Sequence, residues 1–275
     1  IIHGETVPAA ETFEDFDFED NFDPRKNQVV GKDAINPVEE LYRKAENLER
    51  KRGKPRDKSN DFSPTPYPLA VLMQRVAGVV AGDSVLVPSA GDGSMIRFLP
   101  DGVNVTAIEE DRRRADRIKT SRPGANIVVG DFLKQYQEEG KMWADVILMN
   151  PPFTRDKKIG PLDAAHVRYA YDHLKLGGRM ISIMGERVFT SGRTFETEFR
   201  DWLDEVGATV IDLPDAAFKR SGTRVKARMV IIDKGANPGR SNYQLADAEY
   251  TSLRGMEGLI LSRVKQPEEE PEVDV

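Results

Sequence analysis

Four consecutive residues, Asn150-Pro151-Pro152-Phe153, follow the apolar stretch Ile147-Leu148-Met149 and carry the most specific chemistry in the chain. Two prolines in a row fix φ and remove two backbone N–H donors, leaving rigid carbonyls free to accept. The Asn150 side-chain carbonyl adds an acceptor directed at the same space, and Phe153 adds an aromatic face. Such a set suits a ligand that must donate two N–H bonds, namely an amine on a flat ring. Taken alone, the four residues also make an ordinary Pro-rich turn after a strand, so the neighbouring strand ends decide.

Three earlier apolar runs end in ligand-type residues. The first reads Val85-Leu86-Val87-Pro88-Ser89-Ala90-Gly91-Asp92-Gly93, and its glycines at 91 and 93 allow a tight turn and close backbone approach. Ile96 stands where a dinucleotide turn wants a third Gly or Ala, and no Gly-Lys-Ser/Thr phosphate loop occurs. The second ends in Ala107-Ile108-Glu109, a carboxylate able to accept from two ribose hydroxyls. The third, Gly130-Asp131-Phe132, offers an acceptor for an adenine amine and an apolar surface beside the ring. Glycine turn, acid and acid at three successive strand ends point to a nucleoside-type ligand.

Positioning these ends requires a parallel sheet. Apolar runs predict strands at 84–88, 103–108, 126–129, 145–149, 179–184, 209–213 and 226–233, with helices at 69–80, 111–119, 132–139, 163–175 and 194–206. Strand-then-helix alternation gives an α/β fold with helices on both faces of a mostly parallel, seven-stranded sheet. Only residues 214–225 separate the last two strands, which predicts an antiparallel pair closing one edge. Ahead of the sheet, Asn36 as N-cap, Pro37 at the first helical position, Glu39 and Glu40 in the first turn and Gly53 beyond the end frame another helix. Val38, Leu41, Tyr42, Ala45 and Leu48 share its apolar face, and residues 43–58 hold eight basic and three acidic side chains, a cationic arm.

The 275 residues include 39% hydrophobic and 31% charged side chains and no cysteine. No apolar run approaches a membrane span and no signal-peptide pattern opens the chain. Without cysteine, disulfides, thiolate zinc sites and cysteine nucleophiles are excluded. Nothing argues for an oxidising compartment, so the cytoplasm is expected. The net charge of −6 is unevenly placed. Glu5, Glu11, Glu14, Asp15, Asp17, Glu19, Asp20 and Asp23 open the chain, and Glu268, Glu269, Glu270, Glu272 and Asp274 close it, with no Lys or Arg among them. Residues 24–265 therefore hold 40 basic against 33 acidic side chains, a net of +7 suited to nucleic acid. Phe13, Phe16, Phe18 and Phe22 lie in the acidic leader without a helical or strand period, so residues 1–36 read as a disordered leader, either a solvated tail or a segment that docks on a partner or competes with nucleic acid for the basic surface. His3, His166 and His173 lack metal-ligand company, and no metal site is expected.

With these motifs the chain resembles class I S-adenosylmethionine-dependent methyltransferases, which are Rossmann-like, and Asn150-Pro151-Pro152-Phe153 resembles the catalytic motif of adenine-N6 DNA methyltransferases. Pro88, Ser89, Ala90, Gly91 and Gly93 match the family's cofactor motif, and Phe62-Ser63-Pro64-Thr65-Pro66 matches its element beside the methionine moiety. The resemblance thus assigns Phe62, Thr65, Pro66, Glu109, Asp131, Phe132 and Asn150 to the cofactor. It covers residues 59–235 in a gamma-like motif order, and the spelling is most like methylase domains of phages and mobile elements. It divides the chain into the leader, a basic helical arm at 37–58, a methyltransferase domain at 59–240 and an extension at 241–275 with its acidic tail.

The resemblance further implies restriction-modification chemistry. Asn150 and the Pro151 carbonyl accept the two amine hydrogens of an adenine flipped out of DNA, Phe153 stacks on that base, and the methyl is attacked in line. Arg155, Lys157 and Lys158 after the motif, Lys219, Arg220 and Arg224 between the closing strands, and the arm at 43–58 are candidate phosphate contacts. Gamma-type enzymes usually carry a long recognition domain after the catalytic one, and the roughly forty residues that follow here imply relaxed specificity, or specificity supplied by an inserted loop, a second copy or a partner chain. Methylation of RNA adenine or of protein glutamine, and a non-catalytic subunit of a DNA-processing assembly, are the alternatives.

Overall fold

The computed structural model describes residues 36–52, 63–135, 143–214, 217–218, 226–235, 256–258 and 260–261, and the backbone of short strands at 22–23, 28–29 and 241–243. The seven expected strands are present as β1 (Ser84–Val87), β2 (Asn104–Glu109), β3 (Asn126–Val129), β4 (Ala144–Met149), β5 (Leu174–Gly185), β6 (Thr209–Asp212) and β7 (Ala227–Asp233). An eighth, β8 (Ser241–Tyr243), pairs in parallel with β6. The order across the sheet is β8-β6-β7-β5-β4-β1-β2-β3. Strand β7 is antiparallel to both β5 and β6, so it lies inside the sheet, and every other neighbouring pair is parallel.

From β1 the chain proceeds outward through β2 and β3, then returns to β1's other side for β4. This reversal separates the connections leaving the ends of β1 and β4 and opens a crevice there. It also sets Pro88–Gly93 beside Asn150–Phe153.

Alternation along the buried strands sends side chains to two cores. Val85, Val87, Val146, Leu148, Ile181 and Ile183 face one, whereas Leu86, Ile147, Met149, Met180 and Met184 face the other. The first core is covered by α2 (Tyr67–Ala77), by α1 (Pro37–Lys51) outside it, and by Ile118 of α3 (Arg112–Ser121). Met256 and Ile260 return to this same core. The second is covered by α5 (Leu162–His173) and α7 (Thr194–Glu205). Two short helices, α4 (Phe132–Gln135) and α6 (Glu186–Thr190), follow β3 and β5. Among the described residues no helix is long and apolar enough to cross a membrane.

Local chemistry sets the boundaries. The Asn36 side chain accepts from Val38 N at 3.0 Å and Glu39 N at 3.4 Å, the N-cap expected for α1. Helix α2 starts two residues earlier than its apolar period suggested, because Pro68 fits a first turn, and stops at Gly78, whose φ of 67° is left-handed. Strand β5 runs back to Leu174, which pairs with Ala144 across a register shift in β4. The expected helix at 132–139 is described only as α4, and the rest lies outside the described residues.

Candidate active site

The glycine turn after β1 is built by its own backbone and by β2. Ala90 N donates to Ile108 O at 2.9 Å and Gly93 N to Ala90 O at 3.0 Å. Gly91 and Gly93 have φ of 59° and 81°, where a side chain is strained. A Cβ on Gly93 would also meet Ile118 Cγ1 at 3.0 Å. Pro88 and Ala90 are buried beneath the turn, and Ser89 is half-buried.

Glu109 ends β2 but is no open acceptor: it is 5% exposed. Its Oε2 accepts from Gly91 N at 2.7 Å, and its Oε1 from Asp111 N at 3.0 Å and Arg114 Nε at 2.8 Å. Oε1 therefore has both lone pairs engaged, and Oε2 retains one. A single ribose hydroxyl suits this geometry better than two. Asp131 is half-buried after β3, where Oδ1 accepts from Leu133 N at 2.9 Å and Oδ2 pairs with Lys134 at 3.0 Å. Phe132 is 2% exposed and packs between His166 and His173, with ring centroids 5.7 and 6.0 Å away, so its ring belongs to the second core.

Asn150 leaves β4 half-buried with its amide fixed. Nδ2 donates to Thr65 Oγ1 at 2.9 Å and to Ser63 O at 3.3 Å. A carbonyl can only accept, so the atom facing Ser63 O must be the amide nitrogen. Oδ1 is thereby turned to the opposite side. Thr65 and Pro66 are buried at the start of α2, within the element that the family resemblance assigns beside the methionine moiety. Pro151 is buried, and Pro152 and Phe153 are half-buried. The Phe153 ring lies against Gly185 at the end of β5, where an added Cβ would stand 3.3 Å from Cγ. Asp163 holds that strand end from behind: its carboxylate accepts from Gly185 N at 3.1 Å and Ala164 N at 3.0 Å. Burial pushes its pKa up to about 6.

Arg52, read from sequence as part of a cationic arm, joins these pieces. Its guanidinium donates to Thr65 O at 2.9 Å and Ser94 Oγ at 2.8 Å, pairs with Asp92 and lies 4.4 Å over the Tyr67 ring. Its neighbour Glu49 accepts from Tyr67 N at 2.7 Å and so caps α2. The end of α1 is thus bonded both to the glycine turn and to the segment that holds Asn150.

The structure therefore gathers Thr65, Pro66, Pro88, Ser89, Ala90, Gly91, Gly93, Glu109, Asp131 and Asn150–Phe153 at one end of the sheet. Arg155 donates to Glu196 at 2.6 Å, with its guanidinium 5.6 Å from the Phe195 ring centroid. Lys157 and Lys158 are exposed. Phe62, Lys219, Arg220 and Arg224 lie outside the described residues. Arg52 and Asp163 were missed by sequence reasoning, because their partners Asp92 and Gly185 are distant along the chain. Among the described residues no group of three or more His, Asp or Glu is placed to hold a metal ion.

No family model matches the chain, and no curated protein does. Solved structures match in fold. The methyltransferase subunit of a type I restriction-modification system from Streptococcus thermophilus superposes with a TM-score of 0.60 at 21% identity, over 76% of this chain and 55% of that one. A Listeria monocytogenes protein, described as a class I S-adenosylmethionine-dependent methyltransferase, gives 0.60 at 14% identity, over 82% and 78%. A modification subunit of a type I restriction enzyme from Vibrio vulnificus YJ016 gives 0.60 at 16%, over 85% and 60%. The chain thus spans little more than half the length of the two restriction-modification subunits. The likeness establishes its architecture as the mixed α/β fold of class I S-adenosylmethionine-dependent methyltransferases.

Proposed function

We propose that the chain transfers a methyl group from S-adenosylmethionine to the N6 amine of adenine in DNA. The observation that carries this reading is the fixed Asn150 amide, whose nitrogen is held by Ser63 and Thr65 so that Oδ1 faces away from them as an acceptor. The residues present fit the cofactor. Gly91 and Gly93 form a cradle that side chains would strain, Glu109 Oε2 keeps one lone pair for a ribose hydroxyl, and Asp131 lies half-buried at the next strand end. Phe132, buried between two histidines, supports the adenine side from within the core.

When bound, the cofactor supplies an electrophilic methyl on a sulfonium. The adenine amine is a weak nucleophile because its lone pair is delocalised into the ring. Asn150 Oδ1 and the Pro151 carbonyl accept its two hydrogens, draw the nitrogen towards tetrahedral geometry and aim its lone pair; alignment and electrostatics supply the acceleration. Phe153, backed by Gly185, stacks on the base, which in duplex DNA must first be flipped out. Target recognition by a protein partner is consistent with the similar solved structures being subunits of restriction-modification systems.

The test is to incubate the full chain with methyl-labelled S-adenosylmethionine and DNA, RNA or protein, then digest and identify the product. N6-methyladenine in DNA is expected, and Asn150→Ala is expected to slow its formation by on the order of a hundredfold or more with cofactor affinity retained. An Asn150→Ala variant as active as the wild-type chain, or label on cytosine or glutamine, refutes the reading.

A further inference from the structure

Directly after Phe153 the chain makes a hairpin that sequence reading took for a plain basic loop. Arg155–Asp156 pairs antiparallel with Gly160–Pro161, and Leu162 N donates to Thr154 O at 2.9 Å. The turn is Lys157-Lys158-Ile159. Asp156 Oδ1 accepts from Lys158 N at 2.6 Å and from Ile159 N at 3.1 Å, and Gly160 closes the turn at φ 82°. These bonds preorganise the tip.

The base of the hairpin is fastened to α7. The Arg155 guanidinium is taken up by Glu196, which is 1% exposed, and faces the Phe195 ring. On the opposite strand Gly160 presses so closely on that ring that a Cβ would fall 2.9 Å from Cγ. Arg155 therefore works as the clamp. Beyond it Lys157, Lys158 and Ile159 are all exposed, and Ile159 is 45% exposed. An apolar β-branched side chain thus stands exposed between a lysine pair and a glycine, on a hairpin that directly follows Asn150–Phe153.

We propose that this tip is a wedge for duplex DNA: Ile159 enters the base stack next to the extruded adenine while Lys157 and Lys158 hold the flanking phosphates. Apolar side chains inserted between base steps compensate unstacking in this way. Ile159 lies six positions after Phe153, so the tip is within about 22 Å of the aromatic face, less than the ~34 Å of one duplex turn. The inference rests on the reading of the chain as an adenine DNA methyltransferase.

The test compares methyl transfer by the full chain to native, unmethylated plasmid DNA and to the same DNA denatured to single strands. Ile159→Ala is expected to slow transfer to native DNA about tenfold and to leave the single-stranded rate within about twofold. Lys157→Ala with Lys158→Ala is expected to reduce the slope of log affinity against log salt on duplex by about 2, the loss of two phosphate contacts. Equal losses on both DNA forms, or an unchanged native rate, would overturn the wedge. A wild-type chain that methylates neither form, with label on protein or RNA, removes the underlying assignment as well.

Discussion

Thr65→Val is the sharpest probe of how the candidate catalytic amide is held. Valine keeps the volume and β-branching of threonine in its buried position at the start of α2, yet removes the Oγ1 that accepts from Asn150 Nδ2 at 2.9 Å. The amide nitrogen then keeps only the weaker bond to Ser63 O at 3.3 Å. A neutral hydrogen bond contributes about 1–1.5 kcal/mol net, so the loss should reduce kcat by roughly five- to twelvefold, since ~1.4 kcal/mol is tenfold. Removing the acceptor itself, in Asn150→Ala, should cost on the order of a hundred- to a thousandfold, as for other preorganised polar groups aimed at a reacting centre. Single-turnover methyl transfer at saturating cofactor reads kcat, and equilibrium binding of S-adenosylmethionine is measured in parallel. Thr65→Ser should restore the rate because it restores the oxygen. A Thr65→Val protein with unchanged kcat and weakened cofactor binding would refute the positioning argument and make Thr65 a direct cofactor contact.

Two further outcomes follow from buried charge. Asp163 keeps its proton up to about pH 6 in the folded chain against 3.8 as its ordinary value. The folded state therefore binds more protons between those values, and stability falls as pH rises through them, by up to about 3 kcal/mol from this group. Urea unfolding of wild type and Asp163→Asn should give curves whose separation changes by that amount between pH 4 and pH 7; parallel curves would contradict it. Arg155→Ala strands the Glu196 carboxylate without its cation and should destabilise the chain by about 3 kcal/mol in the same assay, with Glu196→Gln recovering part of the loss. An Arg155→Ala chain of wild-type stability would return Arg155 to the set of free phosphate contacts.

The sheet was legible because its signal is local. The continuous apolar run Val146-Ile147-Leu148-Met149 marks a strand buried on both faces, and Asn126–Val129 ends as expected before Gly130. Asn36 followed by Pro37 is equally local, since a cap bonds only to the next turn. What could not be read are the roles set by distant partners. Arg52 looks like one more cation in a basic run until Asp92, forty positions away, meets it. Arg155 looks like a loop cation until Glu196 claims it from α7. Glu109 looks like an open acid at a strand end, although Gly91 and Arg114 already occupy three of its acceptor positions with Asp111. Phe132 follows an aspartate as an adenine-side residue should, but its ring is enclosed by two histidines of α5. The eighth strand carries three polar or aromatic residues with no alternation to announce it.

The attachment of α1 bears on how the protein can be cut. A fragment begun at residue 59, where the motifs start, would strip a whole helix from α2 and leave Leu69, Val76 and their neighbours closer to water. It would also delete the Glu49 carboxylate that caps α2 and the Arg52 guanidinium that bridges Thr65 to Ser94. A minimal folded unit has to begin no later than Asn36, and a fusion or protease site belongs upstream of that residue.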